Sequence, residues 1–111
     1  MCHGMTFIET SVFTRQIKEL ASDDDLRRLQ EVLIALPTAG AVIPGTGGLR
    51  KIRVALGARG KRGGVRVIYY LADRDFVYLL LAYAKSVKEN LNEAEKSVLK
   101  SLAKQLKEAH R

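Results

Sequence analysis

The chain has 111 residues, 47% hydrophobic and 28% charged, the size and make-up of one globular domain, which excludes a multidomain enzyme, a fibrous repeat and a disordered tail. No apolar run approaches the ~20 residues of a membrane span, and no basic segment followed by an apolar one opens the chain, so a cytoplasmic protein without membrane contact is expected. The formal net charge of +7 points to a polyanionic partner.

That charge is unevenly placed. Between Val32 and Ala72 there is no Asp or Glu, while Arg50, Lys51, Arg53, Arg59, Lys61, Arg62 and Arg66 all lie there. Elsewhere basic and acidic residues balance, so the whole surplus belongs to one central segment. Nucleic acid is the commonest cytoplasmic polyanion, and a solvated basic face is the plainer alternative. The single cysteine, Cys2, gives no disulfide framework, and with only His3 and His110 beside it no zinc set, so neither a metal nor a cofactor is expected.

Residues 1–5 read as an N-terminal tail, Met5 being as good a start as Met1, and residues 6–111 as a single domain. Thr6 to Glu9 is a short strand, and Thr10 or Ser11 caps a helix whose stripe is Phe13, Ile17 and Leu20. Ser22 and Asp25 have capping-box spacing. Leu26, Leu29, Val32, Leu33 and Leu36 continue at helical intervals until Pro37 ends the pattern. Thr38 to Gly48, with Pro44, Gly45, Gly47 and Gly48, reads as a long connection.

Leu49 to Ala55 alternates as a strand, with Arg50, Ile52 and Val54 on one face and Leu49, Lys51 and Arg53 on the other. Gly57, Gly60, Gly63 and Gly64 surround Arg59, Lys61 and Arg62 in a basic loop. It is a poor phosphate-binding loop: Ala55 stands where the pattern ending in Gly60 and Lys61 requires glycine, and Arg62 replaces the Ser or Thr. Val65 to Ala72 and Phe76 to Ala84 are rich in β-branched and aromatic residues and pair through a turn at Asp73 to Asp75. Asn92 and Glu95 open a last helix with the stripe Val98, Leu99, Leu102 and Leu106. The order β-α-α-β-β-β-α predicts an α+β fold: a mainly antiparallel sheet, two helices on one face and a C-terminal helix.

The run Pro44-Gly-Thr-Gly-Gly-Leu-Arg-Lys-Ile-Arg-Val54, followed by Gly60-Lys-Arg-Gly-Gly-Val-Arg-Val-Ile-Tyr-Tyr70, resembles the HigB-type branch of the RelE toxin superfamily. The resemblance extends from about Thr6 to the final helix. It implies a small RelE-like fold and a metal-independent endoribonuclease that enters the ribosomal A site and cuts messenger RNA during translation. It implies a cognate antitoxin as well, carrying a helix-turn-helix domain, with operator DNA met only through that antitoxin. By position, Lys51 and Arg53 match the family's basic pair on the second strand, Arg66 its arginine on the third, and Lys85 the basic residue ending the fourth. The sequence departs from the family at the acid-base position, where some members use a histidine or a C-terminal tyrosine. No tyrosine follows Tyr83, and both histidines are terminal.

Cleavage of RNA without a metal needs a base for the 2′-hydroxyl, cations for the crowded phosphate and an acid for the leaving 5′-oxygen. Cations beside a lysine favour its neutral form, which makes Lys51 or Lys85 a base or acid, while Arg53 and Arg66 grip phosphate oxygens through their planar forks. Arg50, Arg59, Lys61 and Arg62 suit backbone phosphates of RNA or ribosome. Plainer readings stand beside these: a solvated strand face for Lys51 and Arg53, an antitoxin or core-edge salt-bridge partner for Arg66, a solubilising strand end for Lys85; as a phosphate contact Arg66 is expected to be an exposed strand cation. Tyr69, Tyr70, Tyr78 and Tyr83 are either sheet filler or base-stacking platforms. Two other functions fit the basic segment, a non-enzymatic ParE-like gyrase inhibitor and a simple RNA- or ribosome-binding module.

Overall fold

Each helix start is set by a short polar side chain that takes up an otherwise unpaired backbone N–H. The computed structural model describes residues 5–54, 64–73, 75–85 and 90–109. Strand β1 (Thr6–Glu9) leads into α1 (Ser11–Leu20), where the Thr10 hydroxyl accepts from the Phe13 N–H at 3.0 Å. Helix α2 (Asp23–Ala35) opens with a full capping box: Ser22 Oγ accepts from the Asp25 N–H and the Asp25 carboxylate accepts from the Ser22 N–H, at 3.1 and 3.0 Å. The same reciprocal pair, Asn92 with Glu95, opens α3 (Glu93–Ala109). All three starts lie where the sequence spacing puts them.

Four further strands complete the sheet: β2 (Ala41–Val42), β3 (Arg50–Val54), β4 (Val65–Asp73) and β5 (Phe76–Ala84). Their order is β1-β5-β4-β3-β2, with β1 parallel to β5 and every other pairing antiparallel. The result is the expected α+β arrangement with one strand more than the sequence predicts. The segment read as a connection over 38–48 contains β2 and the hairpin that joins it to β3. Thr46, wholly buried, staples that hairpin, its hydroxyl donating to the Ile43 carbonyl at 2.6 Å and accepting from the Leu49 N–H at 3.3 Å. Gly45 and Gly47, both at φ +79°, supply the left-handed turns that a side chain resists.

The sheet separates two apolar clusters. Phe13 and Ile17 of α1 and Leu29 and Leu33 of α2 pack on Ile52, Val65, Val67, Tyr69, Val77, Leu79 and Ala82. On the other face Leu99 and Ala103 of α3, with Leu91, pack on Leu49, Ile68, Tyr70, Leu80 and Tyr83. The α1 stripe is as predicted, and two others need correction. Val32 and Leu36 are 45% and 56% exposed, so α2 buries the narrower Leu26, Leu29, Leu33 stripe. Val98 is 69% exposed, and Ala103 takes its place in the α3 seam with Leu99, Leu102 and Leu106. In α2 the Val32, Leu36 row, one residue off the seam, points past the sheet.

Tyr69 closes the exit from α2. Its hydroxyl donates to the Pro37 carbonyl at 2.7 Å and accepts from the Gly40 N–H at 2.9 Å, and a Cβ at position 40 would lie 2.7 Å from the tyrosine ring. Burial raises the Tyr69 phenol above its ordinary value of about 10, against smaller opposing effects from the Gly40 hydrogen bond and the Arg50 charge. A raised tyrosine stabilises the fold while the unfolded phenol keeps its proton, and that stability drains away as pH climbs from about 10 through the folded value. Tyr69→Phe, which strands two buried backbone groups, is expected to lower stability at pH 7 by about 1–3 kcal/mol. It should also flatten the alkaline loss, and urea titrations at pH 7 and pH 10.5 check both effects.

Candidate nucleic-acid interface and active site

On β3, pleating turns Ile52 and Val54 to the α1/α2 cluster and so sends Lys51 and Arg53 to the α3 face. On β4, Val65, Val67 and Tyr69 face α1 and α2, and Arg66 shares the α3 face with Ile68 and Tyr70. Register then brings the cations together. Arg53 of β3 pairs directly with Arg66 of β4, and Arg66 pairs directly with Tyr83 of β5, forming one row across three strands. Lys51 occupies the next row on the same face, opposite Ile68 and Leu81. Its neighbour in charge is therefore Arg53, two residues along its own strand.

The environments of these side chains differ. Arg53 is exposed, and Lys51 is half-buried with its Nζ donating to Asn90 Oδ1 at 3.0 Å. Arg66 is only 2% exposed. This overturns the reading of Arg66 as an exposed strand cation: β4 is the middle strand of the sheet, with β3 and β5 on its flanks, and a side chain there is enclosed by neighbours on both sides. Lys85 follows β5, half-buried, with its backbone N–H donating to the Gly64 carbonyl at 3.3 Å. The Val65 to Ala84 pairing places Lys85 one residue beyond that last rung and two beyond Tyr83.

Arg50 is not part of this cluster. It lies on the opposite face, where its guanidinium donates to the carbonyls of Gly40 at 2.7 Å and Thr38 at 3.4 Å and so fastens the exit of α2 to β3. Arg59, Lys61 and Arg62 lie outside the described residues. Among the four tyrosines, Tyr69 faces the α1/α2 core, and Tyr70 and Tyr78 stack with centroids 6.2 Å apart on the α3 side. Burial, and secondarily Tyr78, raises the Tyr70 phenol. Tyr83, 7% exposed, is the tyrosine that joins the arginine row. Asn90, the partner of Lys51, carries no signal in the sequence, because the contact spans 39 residues of chain.

A cation row with a half-buried lysine beside it can hold a phosphodiester by charge and by directed N–H donors. A concavity of about 190 Å³ between β1, α1 and the start of α2 is lined in part by Glu9, Lys18, Ser22 and Asp23. The Glu9 carboxylate already accepts from the Thr14 hydroxyl at 2.7 Å, so this pocket lacks the positive lining a phosphate needs. Among the described residues no cluster of His, Cys, Asp or Glu forms a metal-ligand set, and no helix is long and apolar enough to cross a membrane.

In the comparison with known proteins, the model of the RelE toxin of the RelE/RelB toxin-antitoxin system matches residues 8–111. That match covers all but the first seven residues, and the chain belongs to the RelE toxin family.

Proposed function

We propose that this chain is a ribosome-dependent endoribonuclease of the HigB-type branch, a cytoplasmic toxin that cuts messenger RNA in the ribosomal A site and so arrests translation and growth. The observation that carries the reading is the direct pairing of Arg53 with Arg66, with Lys51 on the same face. Two arginines in direct register on neighbouring strands offer planar N–H donors to the oxygens of one phosphodiester. In this reading Arg53 and Arg66 hold the scissile phosphate, and Lys51 and Lys85 are the proton-transfer groups. Arg59, Lys61 and Arg62 supply sequence-independent contacts to ribosomal or messenger phosphates. A cognate antitoxin with a helix-turn-helix domain restrains the toxin by covering the cation face, and operator DNA is contacted through it alone.

Primer extension on messages translated in a reconstituted system tests the proposal. Cuts at codon boundaries that need both the toxin and a translating ribosome are expected. Translation that stops with intact messages overturns the nuclease and leaves a binding toxin of the same fold.

A further inference from the structure

The row Arg53, Arg66, Tyr83 exists because β5 does not alternate. Ile68 of β4 pairs with Leu81, but the next residue, Tyr69, pairs with Leu79, so Leu80 is the extra residue of a β-bulge. Leu79 and Ala82 pack in the α1/α2 cluster, while Leu80 and Leu81, adjacent in sequence, both pack on the α3 side. Strict alternation from Leu79 would return residue 83 to the α1/α2 face. The bulge is what sends Tyr83 to the other side, opposite Arg66.

A bulge leaves backbone groups to be satisfied, and this one lies where β5 has lost its outer neighbour. Strand β1 ends at Glu9, whose partner is Leu79. Beyond that point helix α1 takes over the role of a strand. The Thr10 N–H donates to the Leu79 carbonyl at 3.0 Å, and the Thr10 hydroxyl donates to the Leu80 carbonyl at 2.9 Å. Gln16 Oε1 accepts from the Ala82 N–H at 2.9 Å. Of these contacts the glutamine is the one that falls after the bulge, on the residue directly before Tyr83. It is also made across 66 residues of chain by a side chain on the sheet face away from the cations.

We infer that Gln16 is a positioning residue for the cation site: by holding the Ala82 N–H it fixes the bulged segment of β5, and thereby the placement of Tyr83 and Lys85 against Arg66. This rests on the nuclease reading above. Gln16 touches no substrate, so its loss acts on the geometry of the site and leaves docking of the chain to the ribosome unchanged. A displacement of about 1 Å in a reacting constellation lowers turnover by up to about 100-fold.

The test compares wild type, Gln16→Met and Gln16→Glu in single-message cleavage on programmed ribosomes, with ribosome concentration varied. Methionine keeps the length of the side chain and removes the acceptor, whereas glutamate keeps an acceptor oxygen. Gln16→Met is expected to lower kcat about 10- to 100-fold with the half-saturating ribosome concentration within twofold of wild type. Gln16→Glu is expected to restore most of kcat, and hydrogen exchange at the Ala82 amide should quicken in the methionine variant alone. Should Gln16→Met fail to fold, Gln16→Ala, which lets water reach the amide, takes its place with the same expectation. Equal kcat for wild type and the acceptor-less variant overturns the proposal, as does a kcat loss that glutamate does not restore. A wild-type chain that cuts no message overturns the nuclease reading and this proposal together, an outcome distinguishable from the first because the wild type itself is inactive.

Discussion

Arg53→Ala is expected to reduce message cleavage by about 10²–10³-fold, the loss seen when one preorganised donor to a transition-state oxyanion is removed, and to leave the fold intact. The side chain is exposed at the end of β3, and Ile52 and Val54 on either side of it hold the strand in the core. Surface changes of this kind have small effects on stability. Arg66→Ala is expected to lose activity as well, but for a mixed cause. Its side chain is 2% exposed in the middle strand, so truncation removes buried packing of the arginine stem together with the charge. Thermal unfolding separates the two: Arg53→Ala melts with the wild type, and Arg66→Ala melts lower. Growth arrest on induction reads the activity. A folded Arg53→Ala chain that arrests growth as the wild type does would remove the central support for the proposed site.

The contrast between these arginines marks the limit of what the sequence made legible. Helix starts were readable because a capping box is local: Ser22 with Asp25, and Asn92 with Glu95, state the start in four residues. The alternation of β3 was readable because apolar Ile52 and Val54 interleave with charged Lys51 and Arg53, and it placed Lys51 and Arg53 on one face. In β5 every residue is apolar or aromatic, so period carries no information, and neither the bulge at Leu80 nor the face of Tyr83 could be inferred. Strand β2 is two residues whose pairing depends wholly on β3, inside a segment rich in Pro and Gly. The burial of Arg66 is set by strand order, which places β4 at the centre of the sheet, and no local pattern encodes that order. Gln16 and Asn90 acquire their roles through contacts across 66 and 39 residues.

In the proposed nuclease the chemistry turns on the proton-transfer group, and Lys51 is the first candidate to test. It lies one row from the arginine pair on the same face, and Asn90 Oδ1 holds its Nζ at 3.0 Å, so the amine is already oriented. Lys51→Arg keeps the positive charge, but a guanidinium does not give up its proton, so the variant is expected to bind RNA and ribosomes as wild type does while losing about 10²–10⁴ in rate, the range of a general base. Single-turnover cleavage at one fixed pH, with ribosome binding measured beside it, reads this loss. Lys85→Arg is the matched control, since Lys85 lies two residues beyond Tyr83 at the other end of the row. A rate kept in Lys85→Arg and lost in Lys51→Arg assigns the base to Lys51. The reverse pattern assigns it to Lys85. Wild-type rates in both variants would mean that the cation row acts by charge and alignment alone, and that neither lysine carries a proton in the reaction.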